Sequence, residues 1–150
     1  SEFPSKRGVE MYVLDAGRDE LAQRVAAREN GGTSALPGQL RAILDDLRLA
    51  DVGAQSKHFA TLLQRSTMAS LHHGGDSRDG HGSRGFGDVS NGGVHGAGFF
   101  VLVGARMPAV LLETAFISNP VEEGYLRDPE FRTRLVDSIV NGLRAYRDGT

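Results

Sequence analysis

The sequence predicts an α/β protein, a twisted, mostly parallel or mixed sheet flanked by helices, on three observations. Val9-Glu10-Met11-Tyr12-Val13-Leu14 is a short run rich in β-branched and aromatic residues. Phe99-Phe100-Val101-Leu102-Val103 and Ala109-Val110-Leu111-Leu112 are continuously apolar instead of alternating, as suits strands covered on both faces. The remaining apolar residues recur at helical spacing and need something flat to cover.

In chain order, the run at Val9 closes at Asp15-Ala16-Gly17, a turn signal. Arg18 to Asn30 carries Leu21, Ala22, Val25 and Ala26 at helical spacing; Asp19 and Glu20 suit its N-terminal dipole, and Asn30-Gly31-Gly32 stops it. Pro37 opens a second helix with Leu40, Ile43, Leu44 and Leu47 on one stripe, and a third is expected from about Ser56 to Leu71 with Phe59, Leu62, Leu63 and Met68 inward. Residues 74–98 hold half of the chain's 20 glycines and little large apolar surface, so a long surface loop is expected there. The two apolar runs are expected to be adjacent buried strands, giving at least three strands and five helices in all. Asn119-Pro120-Val121-Glu122 combines an N-cap, a proline at the first helical position and a capping-box Glu. Asp128-Pro129 repeats the start signal for a last helix with Phe131, Leu135, Ile139, Leu143 and Tyr146 on one face.

Composition removes several function classes. Seventeen basic and 19 acidic side chains leave a net charge of -2, and no run of like charge offers a footprint for nucleic acid. The absence of cysteine excludes a disulfide scaffold, a thiolate zinc site and a cysteine nucleophile. No stretch reaches the roughly 18 apolar residues of a membrane span, and the first residues lack the pattern of a signal peptide. Ser1-Glu2-Phe3 resembles a remnant of a cloning site.

The sharpest chemical feature is Glu113, an acid closing the most apolar run of the chain. Ligands of open α/β sheets gather at the carboxyl ends of strands, and apolar neighbours disfavour a charged carboxylate, a condition that suits a general base or acid. Pairing with an arginine or capping of a helix is the alternative role for that carboxylate. His72, His73 and His81 share a segment with Asp76 and Asp79, but glycine-rich chain gives metal ligands no rigid support, and a solvated loop is the expectation. His95 is read as a surface or loop residue and His58 as a helix boundary. Gly80-His81-Gly82-Ser83-Arg84-Gly85 matches G-x-G-x-x-G, yet neither the strand before nor the helix after it that a dinucleotide site requires is in evidence, so it is set aside.

Gly104-Ala105-Arg106-Met107-Pro108-Ala109-Val110-Leu111-Leu112-Glu113-Thr114-Ala115-Phe116-Ile117-Ser118-Asn119-Pro120 resembles the closing signature of the zinc-dependent N-acetylmuramoyl-L-alanine amidases, hydrolases that cleave peptidoglycan. Arg7-Gly8-Val9-Glu10-Met11-Tyr12-Val13-Leu14, Ala26-Ala27-Arg28-Glu29-Asn30, Ile43-Leu44-Asp45-Asp46-Leu47, Ser56-Lys57-His58-Phe59-Ala60 and Gly93-Val94-His95-Gly96-Ala97-Gly98-Phe99-Phe100-Val101-Leu102 fall in the family's order. The resemblance implies a twisted sheet flanked by helices and hydrolysis of the amide between the lactyl group of muramic acid and the first L-alanine of the stem peptide. It implies a zinc on two His and one Glu, with a second Glu moving the proton; Glu113 matches that second Glu by its motif. The family's zinc ligands precede the Arg7-Gly8-Val9-Glu10 motif, so residues 4–150 are expected to be the C-terminal portion of an amidase catalytic domain. No metal ligand is then assigned within the chain, and zinc is not expected to be held tightly by it alone.

The same resemblance implies peptidoglycan as substrate, action in the periplasm or outside the cell, and room for an activator protein, while an open sheet edge would favour self-association. Two other functions stand beside it. One is a non-catalytic module that binds peptidoglycan or a partner; the other is a small α/β hydrolase unrelated to the family that uses Glu113.

Overall fold

The computed structural model describes residues 6–15, 20–32, 47–72 and 86–149. Among them the order of elements is β1 (Val9–Leu14), α1 (Glu20–Glu29), α2 (Leu47–His72), β2 (Asn91–Ala97), a 3-10 turn (Phe100–Leu102), β3 (Leu111–Glu113), α3 (Pro120–Arg127) and α4 (Pro129–Asp148). The strands form one sheet in the order β2-β1-β3, with β1 central. The expected α/β class holds. No described helix is long and apolar enough to cross a membrane.

The chain divides into two compact units: residues 1–10, 62–93 and 113–150 in one, and residues 11–61 and 94–112 in the other. In the first, Val9 donates its backbone N–H to Ser90 at 3.0 Å and the Glu10 side chain lies over Gly92, so β1 and β2 run in parallel there. Gly92 has no room for a Cβ. Gln64 of α2 donates to the Val9 carbonyl at 3.1 Å and to the Asn91 side chain, tying the helix to both strands. Phe86, Tyr125 and Phe131 form an aromatic cluster in which Phe86 meets Phe131 edge to face at 5.2 Å, a pair contributing about 1 kcal/mol beyond its buried area. Along α4, Phe131, Leu135, Ser138 and Gly142 are the buried positions. Leu143, expected inward, is exposed, because the stripe facing α2 passes through the small residues instead.

In the second unit, Tyr12, Ala22, Ala26, Ala97, Phe99 and Leu102 form the core, with Leu14, Val25, Ala109 and Leu111 against it. The alanines of α1 let that helix approach the Tyr12 ring closely, while Leu21, at the helix start, is exposed. Asn30-Gly31-Gly32 ends α1 as expected: both glycines have positive φ, and Gly32 returns its N–H to Ala27.

Further expectations are corrected. Residues 74–98 are not loop throughout, since Asn91–Ala97 is β2. Its glycines are there because side chains of β1 and of the residue that follows it occupy the space: a Cβ on Gly96 would lie 2.6 Å from the Asp15 Cβ. The run Phe99–Val103 is not a strand. The Asn30 side chain takes the Phe100 N–H at 2.9 Å and donates to the Gly98 carbonyl at 2.8 Å, withdrawing both groups from any ladder. The turn that results buries Phe99 and Leu102, three apart, and leaves Val101 75% exposed. The second run does form a strand, β3, but a short one at Leu111–Glu113, half-buried throughout. Lastly, α2 begins at Leu47, so His58 lies in a helix interior and not at its boundary. The helix expected after Pro37 and the G-x-G-x-x-G stretch lie largely outside the described residues, as do His73, Asp76, Asp79 and His81.

Candidate functional site around Glu113

Glu113 closes β3 and is half-buried. Its backbone leads into the segment 114–119, which turns back through an Asn119 N–H bond to the Phe116 carbonyl at 2.8 Å. Asn119 then starts α3 as expected, its side-chain oxygen accepting the N–H groups of Val121 at 3.0 Å and Glu122 at 3.4 Å.

Glu122 departs from the capping-box expectation. A capping-box Glu reaches back to the N–H of the N-cap residue. Here that N–H already belongs to Phe116, and the Glu122 carboxylate is free to go elsewhere. One oxygen accepts the Gly8 N–H at 2.5 Å and the other the Phe116 N–H at 2.8 Å. The side chain is 2% exposed, so each bond replaces water that the carboxylate has lost. Burial pushes the Glu122 carboxyl above its ordinary range; the two N–H donors and the Arg7 charge pull it back, and the Glu10 charge adds to the push.

Two further ties join the same segments. The Asn119 amide donates to the Lys6 carbonyl at 3.4 Å, and the Lys6 ammonium sits 4.8 Å from the centre of the Phe116 ring. Lys6 also pairs with Glu10 at 2.8 Å. Glu122 and Lys6 thus hold the segment that follows Glu113, and Glu10 pairs with Lys6. None of them was singled out for this task by sequence alone, and only the Glu at the third position after Asn119 left a signal.

Two of the described histidines have partners of their own in the fold. His72, at the end of α2, donates Nε2 to the Val89 carbonyl at 2.8 Å. His95 is on β2 rather than in a loop, its ring 5.4 Å from that of Tyr12. Among the described residues no group of three or more His, Asp or Glu side chains is placed to hold a metal ion. The described residues therefore do not fit the zinc that the family resemblance implies.

The family model described as N-acetylmuramoyl-L-alanine amidase matches residues 2–145. N-acetylmuramoyl-L-alanine amidase AmiC of Neisseria meningitidis is 46% identical over 152 aligned residues, covering 95% of this chain and 32% of the relative. The probable cell wall amidase LytH of Staphylococcus aureus is 42% identical over 58 residues, 39% of this chain and 20% of LytH. Among solved structures, the N-acetylmuramoyl-L-alanine amidase of Clostridium difficile 630 aligns with a TM-score of 0.58 at 19% identity, covering 96% of this chain and 50% of that one. Ami1 of Mycobacterium smegmatis aligns at 0.56 and 18% identity, covering 98% and 50%. These last two likenesses are of fold. The chain spans about a third of the length of the meningococcal relative and half of each solved chain. Matched from residue 2 to residue 145, the chain belongs to the N-acetylmuramoyl-L-alanine amidase family.

Proposed function

We propose that this chain takes part in hydrolysing the amide between the lactyl group of N-acetylmuramic acid and the first L-alanine of the peptidoglycan stem peptide, with Glu113 moving the proton. The family match over nearly the whole chain carries the reading, and the place of Glu113 at the carboxyl end of β3 supports it. In amide hydrolysis a water oxygen bonds to the carbonyl carbon, the C–N bond breaks, and the departing amine needs a proton. A carboxylate beside the scissile bond does both transfers: Glu113 takes a proton from the attacking water and passes it to the alanine nitrogen. The described residues lack a ligand set for zinc, and these proton transfers need only the carboxylate. The substrate places the action in the periplasm or outside the cell.

The products test it. The natural protein that carries this chain, incubated with purified sacculi, should release stem peptides with a newly free α-amino group on L-alanine, measured by amine labelling and hydrolysis. Retention on sacculi with no new alanine amine would assign this surface to binding and contradict the reading.

A further inference from the structure

We propose that Glu122, together with Lys6 on the Phe116 ring, is a positioning residue that fixes the segment following Glu113 and so aims that carboxylate. The inference rests on the amide-hydrolysis reading. A buried carboxylate is kept only where its oxygens are satisfied, and Glu122 meets that condition by joining two stretches 114 residues apart in sequence. Its two bonds hold the Phe116 backbone to that of Gly8, immediately before central strand β1. Asn119 repeats the tie to the Lys6 carbonyl, and the Lys6 ammonium presses on the Phe116 ring while Glu10 anchors it. The segment 114–119 is therefore held at Phe116 and at Asn119, and its other end is Glu113.

Glu122 is not itself a proton donor to substrate in this arrangement. Both of its oxygens face backbone N–H groups, and the side chain is closed to solvent. Its influence on the reaction passes through backbone geometry, where a displacement of about 1 Å at a reacting group costs on the order of a hundredfold in rate. Replacing the carboxylate by an amide turns one acceptor into a donor aimed at an N–H, so one of the two bonds is lost.

The test is a mutant cycle in the natural protein that carries this chain, assayed on sacculi below the melting temperature of every variant. Glu122→Gln should lower kcat by about tenfold or more with KM within about twofold, because substrate contacts are untouched. Glu122→Asp, which keeps the charge but shortens the reach, should recover part of that loss. In a Glu113→Gln background, Glu122→Gln should add no further loss, since nothing remains to be aimed. Parent kcat in Glu122→Gln, or the same fold-loss in both backgrounds, overturns the proposal. If Glu113→Gln alone is as active as the parent, the assignment of Glu113 fails and this proposal fails with it, a result distinct from the other two. Should Glu122→Gln not fold, Lys6→Met takes its place. It removes the ammonium and keeps an apolar stem on Phe116, so a loss confined to kcat supports the proposal and an unchanged kcat overturns it.

Discussion

Gly142 of α4 lies directly on Leu63 of α2: a Cβ built on that glycine would stand 2.8 Å from Leu63 Cδ2 and 3.0 Å from Leu63 Cα. The approach is closed further along by Ser66, which donates to the Ser138 carbonyl at 2.8 Å, and by the Thr67 and Ser138 hydroxyls, 3.2 Å apart. The two helices meet through small and hydroxyl side chains. Alanine is the better helix former by about 1 kcal/mol, so an exposed Gly→Ala change would stabilise. Here the Leu63 backbone cannot give way as a side-chain tip can. Gly142→Ala is expected to destabilise by about 1 to 3 kcal/mol, read as a lower midpoint in urea unfolding. A higher midpoint would mean that the helices separate without penalty.

Glu122 makes a pH-dependent contribution whose sign follows from its environment. Burial raises its carboxyl above the ordinary 4.5, against the pull of the two N–H donors and Arg7, while Glu10 adds to the rise. Tyr125 is a further ionisable group that feels its charge. A folded-state value above the unfolded one means that the native state binds the proton more tightly, so this stability is complete below pH 4.5 and fades as pH rises through the folded value. The melting temperature of the parent minus that of Glu122→Gln should therefore shrink from pH 4 toward pH 8. A difference that grows with pH would show that the N–H donors outweigh burial.

His72 is assigned to structure by its bond to the Val89 carbonyl. Removing the ring in His72→Ala breaks a partly buried hydrogen bond worth about 1 kcal/mol. The melting temperature should fall by about 2 to 4 °C, and the metal content of the dialysed protein should equal that of the parent. Loss of bound zinc in this variant would make His72 a ligand and overturn the assignment.

Where local chemistry decides an element, the sequence is legible. Asn119-Pro120 and Asp128-Pro129 start α3 and α4 where expected, each with the side chain capping as its type requires. The β-branched run at Val9 is a strand, and Asn30-Gly31-Gly32 ends a helix. Where a partner distant in sequence decides, the pattern misleads. The glycines of β2 are signs of loop by composition, yet Gly92 and Gly96 are small because Glu10 and Asp15 lie over them. Phe99–Val103 has strand composition, but Asn30 takes its backbone groups. Glu122 follows the capping-box spacing, and its real partner at Gly8 has no local signature. The candidate site shows the same division. Glu113 stands out by its motif and its place after an apolar run, whereas the residues that fix the segment behind it are visible only in the fold.

The most direct test of the account is the initial rate of peptidoglycan amide hydrolysis by Glu113→Gln against its parent, measured on purified sacculi with the natural protein that carries this chain and with both melting temperatures in hand. Glutamine keeps the shape of the side chain and removes its capacity to carry a proton. The predicted result is a kcat lower by about 10² to 10⁴-fold with a melting temperature close to the parent's. A variant that hydrolyses sacculi at the parent's rate, or one that loses activity only because it unfolds, would contradict the role given to Glu113.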